Sequence, residues 1–147
     1  MPMANPMFLM AAQAGLFLGR KQASAGGETK VPVGLIRLSS GGRPVLEAAL
    51  IPGELYPELS VGGVQRYGGA DYPEAAVEPA VKQMLKAPYR MLFGLADDEN
   101  GYIIPKAEWD QKAPWLQNAK SNWYGEVNSV GPEMAPKVIE ALGELLR

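Results

Sequence analysis

Neither cysteine nor histidine occurs among the 147 residues. Without cysteine there is no disulfide framework, no thiolate nucleophile and no thiolate-held zinc. Without histidine the chain lacks the usual general base near neutral pH and the commonest metal ligand. A Ser-His-Asp triad or a His-x-Glu deaminase site cannot be built from this chain alone. Charge of one sign is also scarce. Fourteen basic against sixteen acidic residues leave a net charge of −2, and no basic block stands out. That balance disfavours a nucleic-acid or anionic-membrane surface. The apolar run at residues 7–18 is interrupted only by Gln13 and is too short to span a bilayer, so no transmembrane segment is expected. A signal peptide would carry its positive charge ahead of such a run, whereas Arg20 and Lys21 follow it. Ala23-Ser24-Ala25 does mimic a cleavage site, so the sequence leaves the compartment open. Any chemistry must use carboxylates, Tyr, Lys, Ser or backbone, or borrow residues from elsewhere.

What is present fits a soluble globular chain. Apolar residues make up 47%, charged residues 20%, and mean hydropathy is −0.10. Those values exclude a disordered tail or a membrane bundle. The length suits one domain, or part of one, over residues 1–147. A chain of this size can bury roughly two-thirds of its unfolded surface.

Asn5 as N-cap, Pro6 at the first helical position and Gly19 past the end predict an apolar helix. Such a helix needs cover on more than one side, which suggests missing partners. Residues 22–28 read as a linker. Strands are predicted at 31–38 and 45–51, joined by the turn Ser39-Ser40-Gly41-Gly42-Arg43-Pro44 as an antiparallel hairpin. The second strand is nearly continuous in apolar residues and so is expected at the centre of its sheet. A short helix or turn follows at Pro57, then a Gly-rich loop over 61–72. A helix is predicted at 74–86 with Val77, Val81, Met84 and Leu85 on its apolar face, despite Pro79. Residues 89–95 read as a third strand, ending in the acidic loop Asp97-Asp98-Glu99-Asn100. A short helical start is expected at 107–109 and an aromatic, polar loop at 115–129. The stripe Val138, Ile139, Leu142, Leu145 and Leu146 predicts an amphipathic helix over 132–146. The sum is an α/β fold of mixed layers, a mixed sheet with a hairpin flanked by helices, forming part of a larger catalytic domain.

Three segments could carry chemistry. In Ile51-Pro-Gly-Glu-Leu-Tyr-Pro-Glu-Leu59 a strand runs into Pro-Gly, which turns the backbone sharply and presents Glu54 at a sheet edge. A carboxylate there can serve as metal ligand or acid–base group; the plain alternative is a turn glycine with Glu54 capping a helix. In the acidic loop, Asp97, Asp98 and Glu99 lack the alternating pattern of an EF-hand and read as a solvated run. Tyr102 follows the Asn100-Gly101 turn, where a phenol can donate a hydrogen bond, bind a metal as phenolate, or simply pack. The segment 123–133, with Trp123, Tyr124, Glu126, Asn128, Ser129 and Glu133, could line a pocket or cap the last helix. A self-contained carboxylate enzyme pairing Glu54 with Asp97, Asp98 or Glu99 is a further, weaker reading.

In order and spacing, residues 51–59, 94–105 and 124–132 resemble the C-terminal part of the catalytic domain of the neutral/alkaline non-lysosomal ceramidases, in a version closer to uncharacterised bacterial ceramidase-like proteins. The resemblance covers roughly residues 31–147. It implies a zinc amidase acting on N-acylsphingosine, with zinc held by two His, a Glu and a Tyr, and a Ser at the scissile carbonyl. Glu54 and Tyr102 occupy the places of the family's Glu and Tyr ligands. The His ligands and the Ser belong to the region upstream, and this chain has no His. The resemblance therefore implies a chain that contributes two metal ligands, carries no catalytic residue of its own, and is completed by a His-bearing N-terminal half or partner chain, with a lipid amide as substrate. The alternative is a non-catalytic lipid-binding or interaction module whose cleft is lined by Trp115, Trp123 and Tyr124.

Overall fold

The computed structural model describes residues 30–121 and 124–147. The helix expected over residues 6–18 and Trp123 lie outside the described residues. The elements run β1 (Gly34–Ser40), β2 (Arg43–Leu50), β3 (Glu54–Leu55), α1 (Pro57–Val61), α2 (Val81–Met84), β4 (Tyr89–Phe93), β5 (Tyr102–Ile103), α3 (Tyr124–Val127) and α4 (Met134–Leu145). Single 3-10 turns occupy Lys106–Glu108 and Leu116–Asn118. The fold is mixed α/β.

The predicted hairpin is present. β1 and β2 pair antiparallel from Gly34↔Leu50 to Ser40↔Arg43. Gly41 and Gly42 close it with φ of 57° and 75°, the left-handed pair that a two-residue hairpin loop requires. β2 is the central strand: it also pairs in parallel with β4, from Leu46↔Tyr89 to Leu50↔Phe93. The result is a three-stranded mixed sheet in the order β1-β2-β4.

Register decides what each face of that sheet carries. Leu35, Ala49 and Leu92 share one face and join Val138, Ile139 and Leu142 of α4 in the core. Fully burying a side chain such as Val138 or Leu142 contributes about 1.5–3 kcal/mol. The opposite face carries Ile36 and Leu38 from β1 and Tyr89, Met91 and Phe93 from β4. All five are between 44% and 67% exposed. One face of the sheet is thus packed and, among the described residues, the other is an exposed apolar surface.

Two expectations about helices need correction. The helix predicted at 74–86 exists only over Val81–Met84, and Val77, assigned to its apolar face, is exposed. Pro79 has no N–H to donate and disfavours helical geometry at Glu78 before it. Glu78 instead turns its buried carboxylate to accept the Lys106 backbone N–H at 3.2 Å. In α4, Val138, Ile139 and Leu142 are buried as expected, but Leu145 on the last turn is exposed. The loop expected at 115–129 also contains the short helix α3.

Candidate functional site

β3 and β5 form a separate two-stranded parallel ladder with the register Glu54↔Tyr102 and Leu55↔Ile103. Two residues selected from distant motifs are thereby direct neighbours. The glycine before each one makes the approach possible. A Cβ on Gly53 would lie 2.6 Å from the Gly101 carbonyl oxygen, which accepts the Glu54 N–H at 2.9 Å. Gly101 has φ of 70°, and a Cβ there would collide with the Asn128 carbonyl, which accepts the Tyr102 N–H at 3.0 Å. Gly101 also bridges to Ser129. All three motifs from the sequence therefore meet along one seam: 53–56, 100–104 and 124–129.

The acidic loop serves that seam as a strap. Asn100 donates to the Pro52 carbonyl from its side chain at 2.8 Å and from its backbone at 3.2 Å. Asp98 is buried and accepts the Glu99 N–H at 2.8 Å, while Asp97 and Glu99 are exposed. Among the described residues, no group of three or more Asp or Glu is placed to hold a metal ion. The loop and Glu54 are not gathered into a carboxylate cluster.

Glu54 is exposed and Tyr102 half-buried. The Tyr102 phenol has its pKa raised above 10, first by partial removal from water and then by the negative charge of Glu54 across the ladder, with Tyr124 adding to it. The phenol is thereby held protonated. Tyr102 also packs edge-on between Tyr56 and Tyr124, with ring centroids 5.9 Å and 5.7 Å away.

Those three rings open onto a cleft of about 450 Å³, whose further walls include Tyr67, Glu108, Asp110 and Glu126. Tyr56 reaches across to Gly125, where any Cβ would overlap its hydroxyl. Burial and the nearby Glu126 charge push the Tyr56 phenol up to about 12. Glu126 is buried, and burial raises its pKa, with Asp110 and Asp71 adding to the effect. Its Oε1 accepts the Asp110 N–H at 3.3 Å. Sequence reading passed over Tyr56 and Tyr67. Tyr56 was signalled by its place two residues after Glu54 in the same extended segment, which sends both side chains to one side. Trp115, expected in a cleft, donates its indole N–H to the Gln111 carbonyl instead and does not line this one.

Compared with family models, curated proteins and solved structures, the chain matches none. No helix among the described residues is long and apolar enough to cross a membrane.

Proposed function

We propose that this chain is the C-terminal portion of a ceramidase-like, zinc-dependent amide hydrolase, supplying Glu54 and Tyr102 to a metal site that a His-bearing partner or N-terminal half completes. The observation that carries the reading is the Glu54↔Tyr102 register pair, which sets a carboxylate and a phenol at facing positions of two paired strands. Residues of these types so paired suit two positions of a zinc site. They are too few alone, since catalytic zinc uses three protein ligands. When bound, zinc would polarise the carbonyl of an N-acylsphingosine-type amide.

The exposed apolar face of the sheet supports the same reading. An independent lipid-binding module would be expected to close that face, whereas a piece of a larger domain would bury it against the rest. The partner segment should therefore bring both imidazoles and an apolar surface.

Calorimetric zinc titration tests the proposal, with Glu54→Gln and Tyr102→Phe variants in parallel. Zinc should bind the isolated chain no tighter than about millimolar, with Tyr102 losing its proton as it binds, and both variants should abolish the signal. Zinc binding that neither variant alters would defeat the reading. Micromolar binding lost in both would mean that the chain builds a complete site by itself.

A further inference from the structure

The cleft behind Tyr102 has a chemical character that the zinc reading does not use. Four tyrosines, at 56, 67, 102 and 124, share its lining with three acids, Glu108, Asp110 and Glu126. No basic residue is among the described residues that line it. Of the lysines in the neighbouring loops, Lys106 pairs with Glu133, and both Lys106 and Lys112 stand over the Tyr72 ring.

Glu126 supplies the second, independent sign of a ligand. It is 4% exposed, and its Oε2 has no hydrogen-bond partner. A buried carboxylate oxygen without a partner is costly, by about 1–3 kcal/mol or more when charged. Backbone N–H groups favour its charged form, but the charged groups that act on it are the acids Asp110 and Asp71, and no cation is among them. The acids are not arranged as a metal cage, but the tyrosine faces suit a diffuse positive charge. A volume of about 450 Å³ falls in the range of small-molecule sites.

We propose that this cleft binds an organic ammonium cation, with Glu126 as its counter-ion and the rings of Tyr56, Tyr102 and Tyr124 as its aromatic wall. The site shares Tyr102 with the proposed metal edge, but Glu54 does not line the cleft, and the site needs no metal. Glu126 must be ionised to act as counter-ion, so binding strengthens as pH rises from the acid side, and a proton is released wherever Glu126 is protonated before the cation enters.

The test uses the full chain without zinc, titrated by calorimetry with choline, with butylammonium and with 3,3-dimethylbutan-1-ol, the uncharged carbon isostere of choline. Saturable binding of either ammonium, with the alcohol at least about tenfold weaker, is expected. Glu126→Gln should weaken the ammonium about tenfold or more while the variant melts no lower than the parent. Tyr124→Ala should weaken it several-fold, and Tyr56→Phe, which keeps the ring, should leave it nearly unchanged. Heats measured in buffers of different ionisation enthalpy should reveal the released proton. Equal binding of the alcohol, an unaffected Glu126→Gln variant, or no saturation by about 10 mM of either ammonium would overturn the proposal. A failed zinc titration would not touch it.

Discussion

Tyr102 stands in register with Glu54 across a parallel pair of strands that a glycine before each residue makes possible, and the carboxylate's charge raises the phenol's pKa. Gly53 supplies space and Gly101 supplies both space and a left-handed φ. Along the seam the Glu54 N–H donates to the Gly101 carbonyl and the Tyr102 N–H donates to the Asn128 carbonyl. The position of the pair is thus fixed by main-chain geometry rather than by long, adjustable side chains.

That coupling should be visible in the titration of the phenols. Replacing Glu54 by Gln removes a negative charge beside Tyr102, so the phenolate becomes easier to form. Tyr102 should then ionise at lower pH than in the parent, while Tyr56 stays near about 12, because its shift comes first from burial and then from Glu126. Ring resonances followed by NMR across alkaline pH would separate the two. A Tyr102 midpoint indifferent to the substitution would mean that the two side chains do not interact in solution.

Gly101→Ala should be far more damaging than the same change at another left-handed glycine. At Gly101 the new Cβ meets the Asn128 carbonyl, whereas at Gly41, φ 57°, nothing lies within 4 Å. Strain alone predicts a loss of about 1 kcal/mol at Gly41, and the clash raises the loss at Gly101 to about 3 kcal/mol or more. Urea unfolding of both variants measures the difference. Similar losses at the two positions would show that the seam can relax.

Much of this was legible because the relevant signals are local. Pro52-Gly53 and Asn100-Gly101 marked chain reversals, and the apolar run at 45–51 marked the central strand. The pairing of β3 with β5 was not legible, since each strand is only two residues long and shows no periodicity. It depends on carbonyls contributed from residues far away in the chain. The cleft was hidden for a related reason: Tyr56, Glu108 and Glu126 come from three separate turns. The helix at 74–86 failed where an apolar spacing outweighed Pro79 in the reading, although the missing N–H governs the backbone.

The exposed sheet face makes its own prediction. Ile36 and Leu38 of β1 and Tyr89, Met91 and Phe93 of β4 are exposed on one face, on either side of β2, and exposed apolar side chains so grouped should attract apolar dyes. Met91→Lys should cut the binding of such a dye severalfold while shifting stability by less than about 0.5 kcal/mol. A large destabilisation would instead show that the face is already covered in solution.

Two buried glutamates should impose opposite pH dependence on stability. Burial opposes charge on Glu47, but hydrogen bonds from the Lys86 and Ala87 N–H groups and from Arg37 outweigh it and lower its pKa. A lowered folded pKa stabilises above the ordinary value of 4.5, and the stability is lost as pH falls through the folded pKa. Glu47→Gln should therefore cost about 2–3 kcal/mol at neutral pH and progressively less in acid. Glu126 has a raised pKa, so its contribution is full below 4.5 and is lost as pH rises through the folded value. Glu126→Gln should match the parent in acid and exceed it as pH rises toward neutrality, since Gln retains an acceptor for the Asp110 N–H. Thermal melts of the three proteins across this range would show the two curves diverging from the parent in opposite directions. Parallel curves would mean that neither carboxylate titrates from the buried position described here.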